Sequence, residues 1–256
     1  MPIRGADIER IRALPLFASV SESVFRNIIG GAFLQRFPAG TTLLMEGDNV
    51  DFLYVLLEGS VELGGSWHDK DTVLAILRPI STFILASVVL DAESLMSAHT
   101  IERSAILMLS GEALRRAMKQ DACMACLVAE ELSGGYTGVV RALKNQKLRG
   151  GVERLASYLV SLQARLGGPE TFDLPHEKRV VASLLGMTPE NLSRALVALG
   201  NYGVEVNGRQ VTVSRPVALE RLAKPDPLVD NLVRESEGDM TQADFERRSA
   251  AHALGR

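Results

Sequence analysis

The stretch HEKRVVASLLGMTPENLSRALVALGNYGVEVNGRQVTV, residues 176–213, decides how the rest of the chain is read. Val180, Val181, Leu184 and Leu185 recur at helical spacing, and Gly186 supplies the positive φ that can end a helix. A second helix restarts at once, with Thr188 as N-cap and Pro189 at the first helical position, where a missing N–H is harmless. Leu192, Ala195, Leu196 and Leu199 then form one apolar face, which leaves Glu190, Asn191, Ser193 and Arg194 on the other. Two short helices about a glycine turn are the helix-turn-helix pattern, whose second helix enters the DNA major groove. Residues 204–206 and 210–213 flank Asn207-Gly208, a strong hairpin signal that adds a wing. The same residues also fit an ordinary helical hairpin followed by a β-hairpin, so context has to decide.

Composition narrows that context. A chain of 256 residues with 46% hydrophobic content has room for two cored domains. No apolar run reaches the ~18 residues of a membrane span, and the N-terminus does not read as a secretory leader, so a cytoplasmic protein is expected. Two cysteines, Cys123 and Cys126, are too few for a disulfide framework and suit a reducing compartment. A net charge of −3 argues against a generic polyanion binder. Residues 150–222 are near neutral, with eight Lys/Arg against seven Asp/Glu, so DNA contact has to come from placed residues and helix N-termini. The densest basic cluster is Arg141, Lys144, Lys147, Arg149 and Arg154, readable either as a solvated helix face or as phosphate contacts.

Outward from the opening stretch, residues 6–31 read as short helices ended by Gly30-Gly31. Residues 33–109 read as short strands punctuated by Pro38-Ala39-Gly40, Glu46-Gly47-Asp48, Glu58-Gly59 and Gly64-Gly65. Strands with turn signals every ~8–12 residues indicate an antiparallel roll or barrel. Helical periodicity returns at Gly111. From Met124 to Leu148 it carries a long apolar stripe, interrupted by Gly134-Gly135, that suggests a dimerisation seam through Leu127, Leu132, Tyr136, Val139 and Leu143. The expected fold class is α+β. It comprises an N-terminal antiparallel β-roll, a jelly-roll-like sensor domain (1–119), a long dimerisation helix (120–149) and a C-terminal winged helix-turn-helix domain (150–222). The remainder, 223–256, is an acidic stretch read as a mobile tail.

This order of parts resembles the cAMP receptor protein/FNR (CRP/FNR) family of bacterial transcription regulators over about residues 10–220. In the N-terminal half the resemblance rests on FPAGTTLLMEGDNVDFLYVLLEGSVEL, with Gly40, Gly47 and Gly59 at the turns; in the C-terminal half it rests on the helix-turn-helix and wing. It implies a homodimer in which a β-roll senses a signal and two winged helices read a palindrome in double-stranded DNA. It also implies an activator that touches RNA polymerase. The family's readout positions map to Glu190, Ser193 and Arg194 in PENLSR, within a DNA-contacting set of Thr188, Pro189, Glu190, Asn191, Ser193, Arg194 and Arg209. E-x-x-S-R is FNR-like and implies TTGAT-like half-sites.

The resemblance breaks at the ligand site. Cyclic AMP binders carry Gly-Glu and then Arg-Ser in a phosphate-binding cassette, where the stretch FILASVVLDAESLMSAHT (83–100) stands here. Leu85 and Ala86 replace Gly-Glu, Met96 replaces the arginine, and Ser97 remains; Val139 and Val140 replace the hydroxyl pair that meets adenine. A phosphate beside Leu85, Ala86 and Met96 would lack a compensating charge. No cyclic-nucleotide binding is therefore expected, and the effector is unknown. Some relatives bind haem through histidine; His68 and His99 are the histidines of the sensor half and keep haem open. FNR itself holds an iron–sulfur cluster on cysteines, but two cysteines in C-x-x-C spacing cannot complete such a set. The alternative is a cupin-like metabolite-binding or enzymatic β-roll. It needs clustered His and Glu ligands, and no such triad, Walker loop, Rossmann fingerprint or catalytic elbow is visible, so no catalytic or metal site is expected.

Overall fold

The computed structural model describes residue 3 and residues 5–230. Two helices lead in: α1 (Gly5–Arg12) and α2 (Glu22–Ile29). Strands β1 (Phe33–Phe37), β2 (Thr42–Leu44), β3 (Phe52–Glu58), β4 (Val61–Trp67), β5 (Lys70–Leu77) and β6 (Ser81–Phe83) follow. After the short helix α3 (Leu85–Leu90) come β7 (Ser97–Thr100) and β8 (Ser104–Ser110). These strands make two four-stranded sheets, ordered β1-β8-β3-β6 and β2-β7-β4-β5, and every pair with a recorded register is antiparallel. The expected β-roll is present.

FLYVLLE in β3 shows no alternation because both of its faces are covered: Leu53 through Leu57 are all buried. β3 and β8 are the central pair of their sheet, with Leu53 opposite Leu109 and Val55 opposite Leu107. The turn from β3 to β4 admits only glycine. Gly59 sits at φ +87°, and a Cβ there would overlap Ser104 Oγ and lie 2.6 Å from the Arg103 carbonyl. One element departs from the strand reading. LASVVL forms α3, flanked by Ile84 and Asp91 at positive φ (65° and 54°).

The helices α4 (Gly111–Gln120), α5 (Ala122–Leu148) and α6 (Gly151–Arg165) come next. Asp121 separates the first two and caps the second: its Oδ1 accepts the N–H groups of Cys123 (2.8 Å) and Met124 (3.1 Å). α5 runs unbroken through Gly134-Gly135 for 27 residues, although each glycine costs ~1 kcal/mol of helix propensity. The chain divides into two compact units within α5, after Tyr136.

The second unit contains β9 (Thr171–Asp173), α7 (Lys178–Leu184), α8 (Pro189–Leu199), β10 (Val204–Asn207), β11 (Gln210–Val213) and α9 (Pro216–Ala223). The wing is a three-stranded sheet, β10-β11-β9, one strand more than the hairpin signal suggests. TFD is too short to carry a period, and only its pairing with Gln210, Val211 and Thr212 reveals it. Leu155, Leu159 and Leu162 of α6 pack with Val181, Leu192, Leu199, Val211 and Leu219 in the core of this unit.

Two expectations need amending. The stretch read as tail is tied down as far as Asp230, whose carboxylate pairs with Arg149; residues 231–256 lie outside the described residues. The basic cluster is no continuous phosphate-facing stripe either. Arg149 is buried in that pair, Arg154 donates to the carbonyls of Leu185 and Arg149, and Lys144 donates to the Leu228 carbonyl.

Candidate nucleic-acid interface

α7 and α8 are short and joined by a turn closed by local backbone hydrogen bonds. The Gly186 N–H donates to Ser183 O and the Met187 N–H to Ala182 O, both at 2.8 Å, while Gly186 takes φ +60°. A Cβ at Gly186 would meet only the end of the flexible Gln146 side chain of α5, which can move, so the positive φ is what favours glycine here. Thr188 then caps α8: its Oγ1 accepts the Asn191 N–H at 3.2 Å, and Pro189 occupies the first helical position. Leu192, Ala195 and Leu199 are buried. They anchor the helix by one face, and Glu190, Asn191, Ser193 and Arg194 remain exposed on the other.

The exposed face is ordered before any partner arrives. Ser193 Oγ donates to the Pro189 carbonyl at 2.9 Å, which leaves its lone pairs outward. The Glu190 carboxyl is held below the usual carboxylate range by its own backbone N–H, by the Thr188 hydroxyl and by the charge of Arg194. The first-turn N–H groups of α8, to which Pro189 contributes none, and its dipole add positive potential at the same end.

Arg209 is used differently from the rest of the predicted set. Its Nε and Nη2 donate to the Leu174 carbonyl at 3.1 and 2.8 Å, and Nη2 also reaches the Pro175 carbonyl at 3.0 Å. It braces the wing sheet against the segment before α7. Gly208, at φ +62°, makes the turn that presents it.

Two family models match, one for each half. The cyclic nucleotide-binding domain covers residues 34–121, and the Crp-like helix-turn-helix domain covers residues 153–222. The chain belongs to the CRP/FNR family.

It is a DNA-binding transcription regulator of the CRP/FNR type, and its helix-turn-helix is the element sequence reasoning starts from. The chain is 24% identical over 210 residues to the global nitrogen regulator of Synechococcus elongatus, covering 78% of this chain and 95% of that one. It is 26% identical over 196 residues to the CRP-like cAMP-activated global transcriptional regulator of Mycobacterium tuberculosis, covering 73% and 87%. Among solved structures, FixK2 from Bradyrhizobium japonicum shares the fold at a TM-score of 0.65, with 22% identity over 76% of this chain and 98% of that one.

In the sensor half of this CRP/FNR regulator, two of the residues at the cassette positions serve the core. Leu85 is buried at the start of α3 within the main apolar cluster, and Met96 packs against the same cluster. Ser97 is half-buried at the start of β7, opposite Gly64, and Ala86 is exposed. Val139 and Val140 are exposed on α5. The two histidines are not brought together: His68 sits in the β4–β5 turn against Trp67, and His99 lies on β7 between Thr42 and Glu62. Among the described residues no group of three His, Cys, Asp or Glu could hold a metal ion, and no helix is long and apolar enough to cross a membrane.

The stripe on α5 splits in two. Met124 and Val128 are fully buried, and Leu127 and Leu132 pack partly on the same core, because a 3.6-residue period turns these four toward their own domain. Tyr136, Val139 and Leu143 stand 72%, 66% and 55% exposed. Cys123 and Cys126 are free thiols in the first turns of α5, the first half-buried and the second exposed.

Proposed function

We propose that this regulator is a homodimer that activates transcription from a palindromic operator with TTGAT-like half-sites centred about 10 base pairs apart. The observation that carries this reading is the exposed face of α8, where Glu190, Ser193 and Arg194 lie within its first two turns. Arg194 can pair bidentately with guanine O6 and N7, Glu190 can accept from a cytosine or adenine amino group, and Ser193 can lie against a thymine. The dimer is supported by the exposed apolar run Tyr136, Val139, Leu143 and Leu148 on one long helix, an arrangement a soluble monomer rarely leaves bare.

The signal in this reading is something other than a cyclic nucleotide. At the cassette Leu85 fills the core and Met96 offers no charge, so a phosphate would be buried without a cation. The Mycobacterium tuberculosis relative is named for activation by cAMP; this chain departs from that chemistry at the residues the phosphate needs.

Selection of bound sequences from random DNA tests the operator directly. An unrelated motif would end the reading. Arg194→Ala is expected to cost roughly 1–3 kcal/mol of specific binding and to relax preference at the half-site guanine. Activation is tested by transcription in vitro from a promoter carrying the selected site; a fall in transcript on adding the protein would make it a repressor.

A further inference from the structure

The surface that reads DNA uses none of the most deeply buried charges of its own unit. Arg149, between α5 and α6, and Asp230, beyond α9, form an ion pair with side chains 9% and 8% exposed. Nη1 and Nη2 donate to the two carboxylate oxygens at 2.6 Å each. Ser157 Oγ on α6 and the Asp226 N–H add donors at 2.8 Å, and Nη2 also reaches the Lys224 carbonyl at 2.9 Å. Taking such a pair out of water offsets most of its attraction. What it provides reliably is one geometry, since a planar fork on a saturated carboxylate accepts no second pose.

That geometry continues into the helix-turn-helix. The Arg149 carbonyl accepts from Arg154 Nη1 at 2.8 Å, and Arg154 Nε donates to the Leu185 carbonyl at 2.9 Å, one residue before the glycine turn. On its other side the turn lies against Gln146 of α5. The last turn of α5 is thus gripped by residues 224–230 and by the turn that leads into α8. Between α5 and α6 the chain has Gly150-Gly151, a joint with more backbone freedom than any other dipeptide.

We propose that Arg149, Arg154 and Asp230 are positioning residues for DNA reading: they lock this joint and so set the half-site spacing that a dimer accepts. The inference rests on the palindromic, dimeric reading proposed above. With the seam on α5, the separation of two α8 helices depends on the angle each α8 makes with the end of its own α5. A locked joint therefore narrows the range of spacings bound tightly.

The test uses the full-length protein and a set of duplexes whose half-sites are moved one or two base pairs closer or farther, with a second set altered in half-site bases. Binding is followed by fluorescence anisotropy. The wild-type protein is expected to show a sharp optimum. Asp230→Asn and Arg154→Gln are expected to lower the ratio of optimal to shifted affinity by about tenfold and to leave base preference unchanged. Cooperative melting establishes that each variant is folded. If Asp230→Asn does not fold, Arg149→Lys takes its place, keeping the charge and losing the two-pronged grip. A folded variant with the wild-type spacing ratio overturns the inference, as does one that loses base preference together with spacing. A flat profile in the wild-type protein instead overturns the dimeric reading and this inference with it, an outcome distinct from sharp profiles in all proteins.

Discussion

The Asp230 carboxylate accepts four hydrogen bonds, two from Arg149, one from Ser157 and one from the Asp226 N–H. Burial pushes its carboxyl up, but hydrogen bonds from Arg149, the Asp226 N–H and Ser157, together with the Arg149 charge, bring it net below the usual carboxylate range. The hydrogen bonds to Asp230, with the charges of Asp230, Glu153 and Asp226, hold the Arg149 guanidinium above its ordinary value against the opposing effect of burial. A carboxyl whose folded pKa is depressed contributes stability above its unfolded pKa of about 3.9 and loses it as the pH falls through the lower folded value. Stability of the C-terminal unit should therefore decline below about pH 4 in acid titrations followed by circular dichroism, and Asp230→Ala should flatten that dependence. At neutral pH the same substitution strands Arg149 without its partner, and about 3–5 kcal/mol should be lost in denaturant melts. A loss under ~1 kcal/mol would mean that water replaces the carboxylate. None of this could be read from the sequence. The two residues are 81 positions apart, share no period and belong to stretches that looked like a basic surface and a mobile tail. Thr188, Pro189 and Gly186 were legible because capping and turn chemistry act over three or four residues.

At the scale of the element, α5 carries two periods of use on one helix. Its first turns bury Met124 and Val128 in the sensor core, and its later turns leave Tyr136, Val139 and Leu143 to solvent. Replacing Val139 or Leu143 with glutamate should give monomers by light scattering and weaken DNA binding, with the melt of the sensor half unchanged, because no described contact of that core uses them. Unchanged dimer mass in both variants would refute the seam. Leu132 is the poorer probe, since it also packs on its own core. The stripe itself was legible from spacing. The place where it changes partner was not, because the hydrophobic pattern of a helix is the same whichever surface covers it. Elements below the length of a period escaped for a related reason: LASVVL reads as strand by composition yet forms α3, and TFD is a strand only through β11.

At the scale of the molecule, the β-roll, the long helix and the winged helix-turn-helix were all legible, since each has a motif or period of its own. For the sensor's chemistry the sequence offers only a subtraction, the cassette charges that Leu85, Ala86 and Met96 do not supply. Calorimetry with cyclic AMP or cyclic GMP is expected to give no heat of binding at micromolar protein, and micromolar affinity for either would sink the reading of the cassette. The burial of Leu85 also bears on how such a domain can change over time. Giving this chain a phosphate site takes at least Ala86→Glu, Met96→Arg and Leu85→Gly. The last step removes a side chain buried among the sensor core residues, at a cost of about 2–5 kcal/mol from a stability on the order of 5–15 kcal/mol. If the arginine comes first, it stands against apolar neighbours with no anion to meet it. On this reading Leu85→Gly and Met96→Arg each cost stability before the full set is in place, so single substitutions reach a phosphate site only through less stable intermediates.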